Sequence, residues 1–575
     1  MNDPVSTTKE ILVVGAGVAA ATFVECLLRD PDVTARITVI GDEAHAPYDR
    51  SGVAGIVDGV DPHELLIDSS VFRDARVRLV TDDRVLRIDR STHSVRTRSR
   101  RDYFYDTLVL ATGSYAARVA VDGARLPGCF LLHTIDDAVL LRAFLDSRTR
   151  ELGRPLRGVV IGGGRSGLEA AVALRNRGVD TTVVQYQERL MPRQFDAAGA
   201  ALMQRLLVDQ GITVRTRTRT TRIDENESGA VASLEFQDGS FQLADVVVVT
   251  VGVRARDELA RNLGLDVDPK GGVLIDERCG TSDPDILAIG QVARRRQDRL
   301  TSPADALSTA EVAAMRVREE KLRPLAQEDA ERVSIAGVHA AWWGDSLGHT
   351  RGAVEVVVEE HAATGTYRKL VLTDDAQTVL GGIFVGDTRG FETLRTLVGQ
   401  RDGHKIAPYL VPSTDTRQPT AVVCEHIGLT LDQLSVAVRA AGLCSFSALG
   451  AQFGWEVECA SCTRAVALVL AKISPTLGIA AAKTRQSESN PSPIQIRPEL
   501  LRTLSPTVAQ GTLSAAQLIE IGRIATEFDL QPQIAGDRIE LRGASSDQEP
   551  VLRERLTRAG LTFDRSAVSP AAYSA

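Results

Sequence analysis

At 575 residues the chain is too long for one ordinary hydrophobic core, and its length suggests roughly three to five domains. With Lys+Arg 67 against Asp+Glu 75, the net charge of -8 gives no electrostatic reason to expect nucleic acid or an anionic membrane as the main partner. The 43% hydrophobic content is ordinary for a soluble globular protein, and with no run of ~20 apolar residues no membrane span is expected.

Residues 10 to 41 read as strand, glycine turn, helix and strand: EILVVGAG, then VAAATFVECLLRD, then ARITVIG. The apolar start could mimic a signal peptide, but its glycines sit at nucleotide-loop spacing and Glu25 interrupts the run. No leader is expected, and cytoplasm is the expected compartment. In Gly15-Ala16-Gly17-Val18-Ala19-Ala20 the first glycine permits a tight turn after the strand. Gly17 lets a pyrophosphate approach the backbone, and the small Ala20 lets helix and strand pack closely. Asp42 and Glu43, at the end of the next strand, are candidates to bind a ribose hydroxyl.

A strand-rich stretch follows and ends in YDTLVLATGS. A second copy of the unit begins at Gly158, with GVVIGGG, RSGLEAAVALRNRG and VDTTVVQ, and a further strand, ADVVVVTVGV, comes after it. Its loop has the full three-glycine form at Gly162, Gly164 and Gly167. At the end of its second strand Gln185 stands where an acid would favour NAD through the ribose hydroxyls. Arg189 is a candidate for a 2′-phosphate, although an arginine there also reads as simply solvated, so NAD versus NADP stays open. The second unit lies within the span of the first, which implies two dinucleotide sites in one α/β body.

From about 330 to 400 the pattern becomes alternating apolar strands, GAVEVVVEE, YRKLVLTD and TVLGGIFVGD, a small α+β unit. VPSTDTRQPT marks a boundary. In the module beyond it, Thr430-Leu431-Asp432-Gln433 has capping-box form, Leu431, Leu434 and Val438 share a helical face, and Gly442 is a stop. A last helix begins near Ser461. KTRQSESNPSPIQ reads as an exposed linker. The final stretch holds a helix-period LSAAQLIEIGRIATEFDL, a strand-like DRIELRG and a helical EPVLRERLTRAGL.

The seven cysteines, Cys26, Cys129, Cys279, Cys424, Cys444, Cys459 and Cys462, are sparse until residue 424 and then dense. An odd count without a regular framework argues against a secreted disulfide scaffold and for metal in a reducing compartment. Cys424 with His426, and Cys459 with Cys462, have metal-ligand spacing, and each pair precedes a helix N-terminus whose dipole favours an anionic cluster. Three thiolates and an imidazole fit an iron–sulfur cluster or zinc. A module that has lost its metal, with His426 a plain loop residue, is the third reading.

The paired glycine loops, ATGS at 111 to 114 and TSDPDILAIGQ at 281 to 291 resemble the flavoprotein disulfide-reductase superfamily, which implies FAD in the first site and NAD(P)H in the second. VVQYQERLMPRQFDAAG, YDR at 48 to 50 and YRKLVLTDD with GGIFVGDT resemble one branch of it. That branch comprises large subunits of assimilatory NAD(P)H nitrite reductases and related electron-transfer subunits of assimilatory nitrate reductase. The resemblance implies flavin contacts at Gly15, Gly17, Ala20, Arg50, Thr112 and Gly113, with Gln291 where the family has an acid. No cysteine pair follows the first glycine helix, so electrons are expected to leave for another carrier, not a disulfide. The cysteine module resembles the bacterioferritin-associated-ferredoxin type, which implies [2Fe-2S] ligands at Cys424, Cys459 and Cys462, with His426 a departure from its pattern. The final unit resembles the ferredoxin-like half domain of nitrite and sulfite reductases.

The implied architecture is two interleaved Rossmann-like FAD and NAD(P) domains at 1–325, the NAD(P) insert at about 125–250, then a small α+β domain at 326–408. A helical [2Fe-2S] module at 420–475, a linker at 476–494 and a ferredoxin-like α+β half domain at 495–565 follow. In full-length relatives a sirohaem and [4Fe-4S] domain comes next. No cysteine follows Cys462 here, so the expected partner is a separate nitrate or nitrite reductase catalytic protein. A reductase for another ferredoxin-like protein, or a redox-sensing protein without a cluster, are the alternatives.

Overall fold

The computed structural model describes residues 8–31, 33–67, 70–295, 303–320, 330–361, 363–412, 423, 427, 429–453, 459–472, 501–504 and parts of 517–561. The chain divides into two units, 1–434 with 458–473, and 435–457 with 474–575.

Two five-stranded parallel sheets dominate the first unit. One runs Ile286–Ala288, Thr107–Leu110, Lys9–Val14, Ala35–Ile40, Val77–Val80. The other runs Thr213–Arg215, Asp180–Val184, Arg157–Ile161, Val246–Val249, Cys129–Leu131. Valines and isoleucines fill both, and Val13, Val39, Val159, Val183 and Val247 are fully buried, as strands covered on both faces must be. Each sheet carries a three-stranded antiparallel meander, Val85–Asp89 to Asp102–Phe104 in one case and Thr220–Glu225 to Phe241–Leu243 in the other.

The second sheet is an insertion in the first. The chain leaves through Ser114–Ala116 and returns through Val253–Ala255, and these two strands pair antiparallel with Ser114 opposite Ala255. The crossing therefore sits directly beyond Thr112 and Gly113.

Residues 330–385 form a five-stranded antiparallel sheet in the order Ala330–Ile335, Val338–Gly344, Val379–Val385, Thr366–Leu372, Val354–His361. Every residue of Thr366–Leu372 is buried, Lys369 included. The Lys369 ammonium is matched by Asp196 Oδ2 at 2.7 Å and Glu355 Oε2 at 2.6 Å, and the Tyr367 hydroxyl donates to Asp196 at 2.7 Å. A buried cation shared by two carboxylates thus ties this sheet to the helix Ala197–Asp209, which Asp196 caps.

The helix Ala460–Lys472 packs on the same sheet. Arg464 Nη1 donates to Val358 O at 3.0 Å and Gln377 Nε2 to Leu470 O at 2.6 Å. The last helix of the expected 420–475 module is therefore grouped with the first unit, where nine of its side chains are buried. The Thr430–Gln433 capping box is present in both directions, at 2.9 and 3.2 Å, ahead of the helix Leu431–Ala440. Leu434 and Val438 are buried, and Gly442 ends the segment at φ 62°.

In the second unit the strands Leu501–Leu504, Arg538–Ser545 and Gln531–Ala535 make an antiparallel sheet, and the helix Glu549–Arg558 follows. Ile521, Ile524, Leu541, Leu552 and Leu556 share its core. The stretch expected as a linker, 476–494, lies outside the described residues. Among the described residues no helix is long and apolar enough to cross a membrane.

Candidate cofactor site

The first glycine loop leaves the strand Lys9–Val14 at Gly15, whose φ of +113° is open at little cost only to glycine. A Cβ there would lie 2.1 Å from Ala111 O, so the loop is pressed against the end of the neighbouring strand. Gly17 is the opposite case, since a Cβ on it would meet nothing within 4 Å. It caps the helix Val18–Leu28 with no side-chain bond, so its open face is backbone N–H at a helix start, suited to phosphate. Ala20 sits behind the loop and is fully buried.

A cavity of about 930 Å³ opens from this loop, near the top of the ~300–1,000 Å³ usual for small-molecule sites. Gly15, Gly17, Asp42, Glu43, Arg50, Thr112, Gly113 and Gln291 all line it. Residues that are far apart in sequence therefore converge on one space. Arg50 Nη2 is bonded to Glu43 Oε1, the Tyr48 hydroxyl donates to Glu43 Oε2 at 2.6 Å, and Arg50 Nη1 donates to the Tyr48 hydroxyl at 2.7 Å. Burial alone would push the Glu43 carboxyl up, but the Arg50 charge with the hydrogen bonds from Arg50 and Tyr48 outweighs it and holds the group below its ordinary value. Asp42 faces Arg256 at 3.5 Å, and the Thr112 hydroxyl donates to Arg256 O at 2.7 Å. Ser114 Oγ donates to Gln291 Oε1 at 2.5 Å.

The second glycine loop reaches the far wall of the same cavity through Arg165. Arg165 is bonded to Glu331 of the antiparallel sheet and, at 2.8 Å, to Glu169 one turn further along its own helix. Burial pushes the Glu169 carboxyl up, against the opposing charge of Arg165. Gly162 has φ +122°, and a Cβ on Gly167 would lie 1.8 Å from Gly162 O, whereas one on Gly164 would meet nothing within 4 Å. The two loops thus share one plan: a strained entry glycine and an open one at the helix start. Gln185 is buried and turned inward, accepting from Gly163 N at 3.0 Å and donating to Arg189 O at 3.2 Å. Arg189 is spent on Phe195 O at 3.1 Å and Glu188 at 2.5 Å.

Tyr48, Arg165, Glu169, Arg256 and Glu331 were not among the residues expected from sequence. Tyr48 stood in the YDR motif and could have been found there. The Arg165–Glu331 contact spans 166 residues and has no sequence signal.

Of the expected metal ligands, Cys424 and His426 lie outside the described residues. Cys459 directly precedes the helix Ala460–Lys472 and is half-buried, while Cys462 is buried in its first turn. The described residues contain no convergent group of three or more His, Cys, Asp or Glu side chains. Cys26 is a buried core residue of the first glycine helix.

Residues 9–315 match the pyridine nucleotide-disulphide oxidoreductase family, and the chain belongs to it. It is an NAD(P)H-dependent flavoprotein oxidoreductase, related to nitrite reductase large subunits, to an assimilatory nitrate reductase electron transfer subunit and to ferredoxin reductases. It is 30% identical to the nitrite reductase [NAD(P)H] large subunit of Klebsiella oxytoca over 96% of this chain, and spans 65% of that protein's length. It is 28% identical to the assimilatory nitrate reductase electron transfer subunit of Bacillus subtilis over 68% of this chain and 50% of that one. Among solved structures, the ferredoxin reductase for the CYP199A2 system of Rhodopseudomonas palustris is similar at 27% identity and a TM-score of 0.59, covering 66% of this chain and 91% of that chain.

The residues present fit FAD. An open Gly17 at a helix start, a cavity of about 930 Å³ and a partly buried Arg50–Glu43 pair lining it are what a pyrophosphate with two attached ring systems requires.

Proposed function

We propose that this protein is the electron-transfer component of an assimilatory nitrate or nitrite reducing system. In that reading NAD(P)H is the donor, and the electrons leave by way of FAD and a [2Fe-2S] cluster at Cys424, His426, Cys459 and Cys462 for a separate catalytic protein. The observation that carries the reading is the cavity that runs from Gly15 and Gly17 to Arg165, the first residue of the helix behind the second glycine loop. Bound FAD supplies hydride acceptance and release of single electrons.

The chain's own residues then have separable tasks. Gly17 and the helix N-terminus behind it hold phosphate, and Asp42 is placed for a ribose hydroxyl. Arg50 and Tyr48 keep Glu43 ionised, which fixes the charge of that wall. Arg165, braced by Glu169 and Glu331, keeps the nicotinamide end of the cavity polar. The buried, solitary Cys26 offers no disulfide to reduce, which supports an outside acceptor. Cys459 and Cys462 at a helix start suit half of an anionic cluster.

A ferredoxin-like acceptor is the second reading, favoured by the likeness to a ferredoxin reductase over almost all of that chain. Anaerobic purification followed by flavin, iron and zinc analysis and by electron paramagnetic resonance tests the cofactors. The expected result is FAD with a [2Fe-2S] signal, and a lower midpoint potential in His426→Cys, since imidazole in place of thiolate raises it. Stoichiometric zinc without iron overturns the cluster. Nitrate or nitrite reduction by NAD(P)H only when the catalytic protein is added is the expected turnover. A reduced flavin with no turnover on either overturns the assignment.

A further inference from the structure

The rim of the second nucleotide site carries charge that the shared loop plan does not explain. In the doubly wound arrangement the adenosine end of a dinucleotide lies over the ends of the second and third strands of the unit, here Asp180–Val184 and Thr213–Arg215. The segments that leave these strands run side by side. Gln185 N donates to Arg215 O at 2.8 Å, Arg217 N to Gln187 O at 2.9 Å and Thr218 N to Gln185 O at 3.0 Å. This brings residues 185–189 against 215–219, a stretch with one acid, Glu188, and four arginines.

No carboxylate stands where a ribose 2′-hydroxyl would be read. Gln185 holds that position, and both ends of its carboxamide are committed to Gly163 and Arg189. Glu188 is taken up by Arg189 at 2.5 Å and Arg217 at 3.6 Å. Arg215 is drawn aside over the Phe236 ring. The most open cations are Arg217, whose side chain stays 77% exposed although its Nη2 stands 3.6 Å from Glu188, and Arg219, whose guanidinium carbon lies 5.9 Å from the centre of the Tyr186 ring. Tyr186 itself is 66% exposed, a large flat apolar surface with the Arg219 guanidinium over its ring. Arg217 also has φ +53°, a left-handed conformation that a non-glycine residue holds at a cost. An exposed aromatic ring with one arginine over it and a second exposed arginine two residues away in the same segment suits an adenine with a phosphate on its ribose.

We infer that the second site selects NADPH over NADH, with Arg217 and Arg219 receiving the 2′-phosphate and Tyr186 the adenine ring. This moves the phosphate role from Arg189, which is bound elsewhere, to the two arginines of the neighbouring segment. The inference rests on the reading of the second loop as the NAD(P)H site.

The test is calorimetric titration of the full chain with 2′,5′-ADP and with 5′-AMP, at low and at high salt, for the wild type, Arg219→Ser and Arg217→Asn/Arg219→Ser. Asparagine tolerates the left-handed backbone at 217. Flavin content and melting temperature serve as controls for folding. The wild type is expected to bind 2′,5′-ADP at least tenfold more tightly than 5′-AMP, with the margin shrinking at high salt. Arg219→Ser should lose about tenfold of that margin and the double variant all of it, while 5′-AMP binding is unchanged. The ratio of kcat/KM for NADPH and NADH, with ferricyanide as acceptor, should follow the same order. Equal affinity for the two adenylates in the wild type, or a margin that survives in the double variant, overturns the inference. Ferricyanide needs neither the cysteines nor a protein partner, so failure of the proposed function leaves this result standing. If neither nucleotide reduces the flavin, the adenylate titration still decides.

Discussion

The two glycine loops are built alike and charged differently. Both leave a buried parallel strand through a glycine with strongly positive φ, and both present an unobstructed glycine at the start of the following helix. They part company at the end of the next strand. The first ends in Asp42 and Glu43, which face a large cavity and are balanced by Arg256, Arg50 and Tyr48. The second ends in Gln185, folded back onto its own loop, beside an arginine-rich segment. The lesson is that backbone geometry makes a phosphate site, while the strand end writes what else the ligand must carry.

The largest effect should come from the strained glycines. Gly15→Ala forces a Cβ to 2.1 Å from a backbone oxygen at φ +113°, and neither side of that contact is a flexible side chain. A loss of about 3 kcal/mol or more is expected, with melting at visibly lower temperature and no retained flavin. Gly17→Ala breaks the comparison from the other side. Its backbone is ordinary and its Cβ has room, so stability should fall by no more than about 1 kcal/mol while flavin retention fails, because the methyl fills the space for phosphate. If both variants lose stability equally, the division of labour within the loop is wrong.

The carboxylates beside the two loops should respond to pH with opposite signs. Glu43 is held below its ordinary value of 4.5, so its contribution to stability is present above that value and is lost as pH falls through the lower folded value. Glu169 is raised above 4.5, burial being the main cause, so the folded state favours its protonated form. Its contribution is present in acid and is lost as pH rises from 4.5 through the higher folded value. Glu43→Gln is therefore expected to destabilise the protein at neutral pH by about 1–3 kcal/mol, because Arg50 loses its partner in a partly buried site. Glu169→Gln is expected to be neutral or stabilising by up to about 1 kcal/mol, since glutamine still accepts from Arg165. Thermal melts of both variants across the acid range, compared with wild type, check the two signs.

Local signals and distant ones were legible to different degrees. The glycine spacing, the alternation of strands and the Thr430–Gln433 cap were readable because each depends on residues within one turn or one strand. Eight of the nine residues expected at the first nucleotide site line one cavity, some expected from strand position and others from motif resemblance. What sequence could not supply was pairing across folds. Glu331 meets Arg165, Lys369 meets Asp196, and the helix Ala460–Lys472 lies on the sheet of Val354–His361, each by contacts between segments far apart in the chain. Gln185 shows a subtler limit. Its position marked it for the ribose, but a buried carboxamide takes the nearest unsatisfied amide, here Gly163 N–H.

The smallest effect sharpens the contrast between neighbouring acids. Asp42 meets Arg256 at 3.5 Å with roughly a third of each side chain exposed, a pair that screening reduces to about 0.5 kcal/mol or less. Asp42→Asn should therefore melt within a degree or two of the wild type, unlike Glu43→Gln one residue along. If Asp42 reads a ribose hydroxyl, the same substitution should raise the dissociation constant for FAD several-fold, since a neutral amide accepts a hydroxyl proton less strongly than a carboxylate does. Titration of apoprotein with FAD measures that change directly. Unaltered flavin affinity would shift the ribose role to Glu43, and Glu43 would then have to hold the ribose while bound to Arg50 and Tyr48. A neighbouring pair in which one acid stabilises the fold and the other holds the ligand is what their unequal burial predicts.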